Sequence, residues 1–375
     1  MANNNENKVL NVPNLRFPEF SGEWKKCTID DLCEEFKSGK NIKADNILNE
    51  GEYPVFGGNG LRGYTDCYNH EGDYVLIGRQ GALCGNIRFV TGKTYITEHA
   101  IAAKATNNNN TRFLESLFIQ LNLAKFSDQS AQPGLAVNKL LKIETSVPSK
   151  DEQEKIASLL QNIDKRIATQ NKIIEDLKKL KSAIIHRCYS SKTNMISLSE
   201  LLKQCSERNH SGWDLQVLSV SNRYGFIAQS DQFEDREVAS DDTSNYKIVE
   251  KGMFAYNPAR INVGSIALYE MDGKGIVSPM YVCFTTKHTL LPGYLKHYFA
   301  SQAFRHEMYK RLEGSVRLCL TFEGLCNIEI PLPSIEIQEN VGKYLSTIEH
   351  KVSLEKSVLS QYQLQRSYLL SQMFI

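Results

Sequence analysis

Residues 147–167 read VPSKDEQEKIASLLQNIDKRI, and residues 332–352 read LPSIEIQENVGKYLSTIEHKV. The two stretches align without a gap at an offset of 185, placing Pro148 on Pro333, Ser149 on Ser334, Gln153 on Gln338, Glu154 on Glu339, Leu160 on Leu345 and Ile163 on Ile348. The apolar pattern then outruns the identities. Ile156, Leu160, Ile163, Ile167, Ile174, Leu177, Ile184 and Cys188 match Val341, Leu345, Ile348, Val352, Leu359, Tyr362, Leu369 and Met373, with intervals of four and three alternating. Such spacing is a heptad seam and predicts two long coiled-coil helices. The polar interruptions repeat as well, Gln170 aligning with Glu355 and Lys181 with Arg366. Polar seam residues fix register and partner, so the two helices are expected to pack on each other, antiparallel. A helix from Asp151 to Cys188 would be about 57 Å long at about 1.5 Å per residue, a spacer longer than a small domain is wide. Proline and serine ahead of each helix suit its start, and Glu152 completes a capping-box pattern with Ser149 in the first copy only.

Fainter echoes precede each helix. TIDDL (28–32) resembles SLSEL (197–201), each the opening of a short helix. EGDYVLIGRQGALCGNIRFVTGK (71–93) resembles KGMFAYNPARINVGSIALYEMDGK (251–274): a glycine turn, an apolar strand, a glycine-bearing loop, a second strand and a closing turn. LLKIETSVPS and LCNIEIPLPS end the two units alike, whereas GEYPVFGGNGLRGYTDCYNHEGD shares little with the stretch beginning WDLQVLSVSNRYGFIAQS. The expected fold class is α+β: two mixed α/β domains in pseudo-twofold repeat, separated by two long antiparallel coiled-coil helices. The expected boundaries are a flexible tail at 1–16, a domain at 17–146, the central spacer helix at 147–191, a second domain at 192–331 and the last helix at 332–375.

With 375 residues, 41% apolar and 23% charged, the chain has the balance of a folded protein of two domains. The Asn-rich start lacks a basic and apolar leader and no apolar run reaches membrane-spanning length, which predicts a cytoplasmic protein with no membrane partner. Nine cysteines stand singly without a C-x-x-C, arguing against zinc and disulfides and for buried, reduced thiols. Net charge is +1, and each large domain is close to neutral. A strong polyelectrolyte footprint is therefore absent, and nucleic-acid binding would draw phosphate contacts from partner subunits.

The order of variable domain, P-S-x-x-E-Q-E-x-I-A-x-L-L-x-x-I-D helix, second variable domain and second such helix resembles the specificity subunit of bacterial Type I restriction-modification systems. YVLIGRQGALCGNI and SAQPGLAVNKLLKIETSVPS are similar to phrases of that family's target recognition domains. The resemblance runs from about Phe17 to the end, and the second helix, with Ile337 in place of Glu152, is its looser part. It implies a non-catalytic chain whose two target recognition domains each read half of a split double-stranded DNA target. The paired helices would space the half-sites, about 34–36 Å apart for one turn of DNA. They would also dock two methylase subunits, with restriction subunits joining the full complex in phage defence. S-adenosylmethionine, ATP and Mg are then expected on those partners, and no cofactor or metal on this chain. The helix flanks DKRIATQNKIIEDLKKLK and EHKVSLEKSVLSQYQLQR are candidate docking faces, although a solvated coiled-coil surface would look the same.

Polar side chains on glycine-bearing loops are the base-reading candidates: Asn59, Arg62, Arg79 and Gln80 in the first domain, and Asn222, Arg223, Asn257, Arg260 and Asn262 in the second. Arginine suits guanine O6/N7, and Asn or Gln suits adenine N6/N7. Arg79 and Arg260 would equally suit loop anchoring or phosphate contact. Lys37, Lys40 and Lys43 are phosphate candidates. GNGLRG (58–63) fits G-x-G-x-x-G, but the turn-rich YTDCYNHEGD after it cannot supply the required helix, so a dinucleotide site is excluded. NPAR (257–260) lacks the second proline and aromatic of DNA amino-methyltransferases, and no P-loop lysine or H-E-x-x-H occurs. A coiled-coil-linked adaptor for protein or peptide targets is the competing reading, favoured by the near-neutral domains.

Overall fold

The computed structural model describes residues 10–127, 134–210, 212, 214–229, 243–315 and 317–375; part of the tail expected at 1–16, residues 1–9, lies outside these. The chain divides into two compact units. The first takes residues through 171 together with Ser357–Ile375, and the second is Lys172–Lys356.

The first unit runs β1 (Lys25–Thr28), α1 (Ile29–Leu32), β2 (Cys33–Ser38), β3 (Tyr53–Gly57), β4 (Gly60–Thr65), β5 (His70–Glu71), β6 (Tyr74–Gly78), β7 (Ile87–Val90), β8 (Lys93–Ile96), β9 (Ala100–Ala105), α2 (Thr111–Leu121), α3 (Val137–Leu141) and β10 (Glu144–Val147). Helix α4 (Lys150–Tyr189) follows and ends in the second unit. That unit runs β11 (Met195–Ser197), α5 (Leu198–Leu201), β12 (Leu202–Cys205), β13 (Val217–Ser221), β14 (Gly225–Ala228), β15 (Lys247–Glu250), β16 (Phe254–Tyr256), β17 (Ile266–Leu268), β18 (Lys274–Val277), β19 (Val282–Thr286), α6 (Pro292–Phe299), α7 (Gln302–Tyr309), α8 (Phe322–Cys326) and β20 (Glu329–Pro331). Helix α9 (Ile335–Met373) returns the chain to the first unit.

The two topologies match strand for strand. An antiparallel sheet β2-β9-β6-β7 answers β12-β19-β16-β17, and a mixed sheet β4-β3-β8-β5 answers β14-β13-β18-β15. The parallel pair falls in the same place, β3 on β8 and β13 on β18. Two-stranded ribbons β1-β10 and β11-β20 close each unit. The stretch around residues 51–73, which has no evident counterpart in sequence, thus has one in 217–228: each forms a hairpin on the corresponding sheet of its unit.

The repeated Gln-Glu motif has a concrete task. Gln153, 1% exposed, accepts from the Asn110 N–H through Oε1 (3.0 Å) and donates from Nε2 to Asn109 Oδ1 (2.9 Å) and the Pro148 carbonyl (3.0 Å). Gln338, equally buried, accepts from the Leu291 N–H (2.9 Å) and donates to the carbonyls of Thr289 (3.0 Å) and Pro333 (2.9 Å). Asn110 and Leu291 precede the first turns of α2 and α6. Each glutamine therefore ties the long helix to the start of the helix before it and satisfies backbone groups that burial would otherwise leave unpaired.

Within each unit the long helices pair antiparallel. In the first, Arg366 donates through two nitrogens to Asp164, the Arg166 guanidinium lies 5.9 Å from the centre of the Tyr362 ring, and Leu160 shares a core with Leu370. In the second, Lys181 donates to Glu349 at 2.7 Å and Ile185 shares a core with Leu345. Residue numbers rise on one helix as they fall on the other. Moreover, the offset of 185 converts Asp164–Arg366 into Glu349–Lys181, so one ion pair occurs twice. Ile156, Leu160, Ile163, Ile174 and Leu345 are buried; Ile167, Leu177, Ile184, Val341, Ile348, Val352, Leu359, Tyr362 and Leu369 are half-buried. Gln170 is buried in the same seam, at 6% exposure.

Three readings are corrected. Residues 10–16 are pinned: Asn11 donates to the Trp24 carbonyl (2.7 Å) and Ser146 Oγ (2.9 Å), and the Leu15 N–H donates to the Gln372 carbonyl. Glu152 forms no capping box because Arg16 engages both its oxygens, at 2.8 and 2.7 Å; burial of that carboxylate demands a bidentate cation. All nine cysteines are free, but Cys283 alone is fully buried and Cys67 is exposed. Desolvation pushes the thiols of Cys33 and Cys283 up to about 12, which keeps them protonated. Among the described residues no helix is long and apolar enough to cross a membrane.

Candidate nucleic-acid interface

In the first unit three connections meet where β3, β6 and β8 end. The Thr97 N–H donates to the Phe56 carbonyl (2.8 Å), and the Arg79 N–H donates to the His99 carbonyl (2.9 Å). These bonds draw the β8–β9 turn against both the β3–β4 hairpin and the loop after β6. Gly58 permits a close approach, since a Cβ there would lie 2.7 Å from the His99 carbonyl oxygen. Asn59 is exposed at the tip of this hairpin. The Arg62 side chain crosses Gly57, its Cδ 2.8 Å from where a Cβ would stand, and the Arg88 guanidinium covers Gly60, 2.9 Å from the equivalent point. Gly60 has φ +104°, a backbone that strains other residues. Gly57 and Gly60 therefore give the hairpin a bare backbone over which Arg62 and Arg88 lie.

The second unit uses the same three connections. Ser265 Oγ donates to the Val220 carbonyl (3.0 Å), and the Val220 N–H donates to Tyr281 Oη (3.3 Å), joining the 257–265 loop, the end of β13 and the β18–β19 turn. Asn257 Oδ1 accepts from the Ala259 N–H (3.0 Å), which makes NPAR a tight turn. A fourth segment joins through the Leu320 N–H, which donates to the Pro258 carbonyl (3.1 Å). Together they surround a groove of about 990 Å³ bordered by Asn222, Asn257, Arg260, Asn262, Gln229 and Arg317. Its rim carries exposed Val263, Met280 and Leu318. Cationic and amide donors beside apolar side chains are the groups that recognise base edges.

Residues 21–179 match the family model described as Type I restriction modification DNA specificity domain. The chain is 37% identical over 194 residues to the EcoprrI Type I restriction enzyme specificity subunit of Escherichia coli; that match covers 51% of this chain and 46% of the relative, so the chain is matched to under half of that subunit's length. A putative Type I specificity subunit of Mycoplasma genitalium is 23% identical over 94% of each chain. Residues 21–179 thus carry the match to the Type I specificity domain, and the relatives the chain resembles are Type I specificity subunits. The chain's fold is similar to the crystal structure of the S subunit from M. genitalium, with a TM-score of 0.71, 18% identity, and coverage of 97% of this chain and 99% of that one.

Across the two units, the sequence-derived candidates and the observed surfaces overlap unevenly. Asn222, Asn257, Arg260 and Asn262 line one groove, and exposed Arg223 stands beside Asn222 on the β13–β14 hairpin, its N–H donating to Ser221 Oγ (3.2 Å). Asn59, Arg62, Arg79 and Gln80 lie on the hairpin and loop that meet in the first unit, Gln80 bridging to Gly134. Lys40 and Lys43 are exposed beyond β2, whereas Lys37 is engaged by Glu35 at 2.8 Å. Sequence reasoning misses Arg88, Gln229, Met280 and Arg317. Arg88 stands inside a strand, so a search confined to loops passes over it; Arg317 and Gln229 reach the groove from segments with no motif of their own.

Proposed function

We propose that this chain is the DNA sequence-specificity subunit of a Type I restriction-modification complex, each unit reading one half of a split, asymmetric duplex target. One observation carries the reading: two units of identical topology each gather the same three connections at one end, with different Arg, Asn and Gln side chains on each. A common frame with unlike reading loops is what an asymmetric target requires. The duplicated ion pair supports a second element, in which a single chain offers two equivalent helix faces to two methylase subunits, with restriction subunits joining the full complex. The chain itself is assigned no catalytic step; S-adenosylmethionine, ATP and Mg belong to the partner subunits. The long helices set the distance between half-sites.

The test is co-purification with the cognate methylase followed by binding to a pool of random duplexes at two salt concentrations. The expected result is selection of two short elements at fixed spacing, with affinity falling as salt rises. Inserting one heptad in 156–188 should change that spacing and leave each half-site's bases alone. Failure of the assembled complex to prefer any duplex would refute the assignment and return the adaptor reading.

A further inference from the structure

We propose, resting on that DNA-reading assignment, that Arg88 is a base-reading residue selecting a guanine in the half-site of the first unit, and that the second unit lacks this contact. Gly60 and Gly225 hold the same place, each opening the second strand of the matching hairpin and pairing with the last residue of the first, Gly57 or Ser221. Both adopt positive φ, +104° and +69°. What faces them differs: above Gly60 the Arg88 Nη2 lies 2.9 Å from the Cβ position, whereas above Gly225 the nearest atom is Ala267 Cβ at 3.5 Å. Arg88 and Ala267 lie on the corresponding strands β7 and β17. The repeat has therefore placed an arginine and an alanine at one structural position, on the face where the reading loops converge.

The state of this guanidinium points to a ligand. Arg16, Arg112, Arg311 and Arg366 each hold a carboxylate, at 2.7 Å, 3.0 Å and 2.6 Å for the first three. Arg88 and its neighbour Arg62 have no carboxylate partner among the described residues. Arg88 lies over Gly60 and Arg62 over Gly57, side by side on the hairpin. An exposed, oriented guanidinium with its donors open matches the paired O6 and N7 acceptors of guanine in the major groove.

The experiment uses the full chain with its methylase partners and a randomised duplex pool, comparing wild type, Arg88→Ala and Arg88→Lys. Arg88→Ala should reduce the preference for guanine at one position of one half-site by about tenfold to a hundredfold and leave the other half-site unchanged. Arg88→Lys keeps the charge without the planar fork, so it should retain overall affinity and lose the same preference. A uniform loss of affinity across all sequences in Arg88→Ala, with preferences intact, would make Arg88 a phosphate contact and overturn the inference. Unchanged preferences in both variants would overturn it too. If wild type itself selects no sequence, the DNA-reading assignment fails first, and the inference with it.

Discussion

Replacing Gln153 by alanine should destabilise the first unit by about 2–6 kcal/mol. Truncation leaves the Asn110 N–H and the Pro148 carbonyl without partners where the side chain is 1% exposed, and each unsatisfied buried group costs about 1–3 kcal/mol. Gln153→Glu provides a sharper comparison. A carboxylate keeps the acceptor for Asn110 but faces the Pro148 carbonyl and Asn109 Oδ1, both acceptors. Burial and acceptor repulsion favour its protonated form in the folded state, raising its pKa there above the unfolded value. Its deficit should thus be smallest below the unfolded pKa and grow as pH rises through the folded one. Trp24, buried with Phe113 and Phe374 in the first core, reports unfolding by fluorescence in urea once Trp213 is replaced by Phe. A loss below about 0.5 kcal/mol in Gln153→Ala, or a Gln153→Glu deficit independent of pH, would refute the role assigned to these bonds.

Reversing one charge, Asp164→Arg or Arg366→Asp, should cost about 0.5–1 kcal/mol at these half-exposed positions, and the double swap should recover most of it in a double-mutant cycle; Lys181 and Glu349 should behave alike. His297, 1% exposed, is held down to about 4, chiefly by burial, with Lys296 and Lys181 adding to the depression against the pull of Glu349. Because the unfolded imidazole takes up a proton near 6.5 and the folded one does not, stability of the second unit should fall as pH drops from about 6.5 to about 4, by up to roughly 3 kcal/mol; His297→Asn should flatten that window in urea titrations. Glu349, which Lys181 and Lys296 hold below its ordinary range despite burial, adds a further loss at lower pH. Gly85→Ala should lower the urea midpoint more than Gly72→Ala: both positions have positive φ, +83° and +109°, but a methyl on Gly72 meets nothing within 4 Å whereas one on Gly85 would lie 2.5 Å from the Ala124 backbone nitrogen.

The repeat is the most legible feature. Heptad spacing follows from helix geometry alone, so the seam from Ile156 to Ile184 and from Val341 to Leu369 can be read without a partner in view. The TIDDL helix start is equally local: Thr28 and Asp31 form a reciprocal cap. The matching hairpins at 53–65 and 217–228 are not legible, because strand pairing constrains backbone register while exposed side chains diverge freely. Glu152 misleads for a related reason. Its spacing from Ser149 fits a cap, but a partner 136 residues away competes for both its oxygens.

The candidate site divides the same way. Glycine-bearing loops flag Asn59, Arg62, Asn257 and Arg260, since backbone approach and polar donors are local properties. Arg88 emerges only when folding lays β7 beside the hairpin, and Arg317 only when the Leu320–Pro258 hydrogen bond brings its segment to the groove.

By itself the sequence determined two long helices in one register, the duplicated glutamines at their starts and the mixed α/β character of what precedes them. Their reasons are short-range: periodicity, spacing and turn chemistry. Tertiary structure alone decided what receives the end of the chain, Phe374 stacking on Phe113 at 5.2 Å and joining Trp24 in the first core. It also decided which of the described arginines pair with carboxylates. Burial and ion pairing depend on groups far apart in the chain, and no local pattern encodes where those groups will meet.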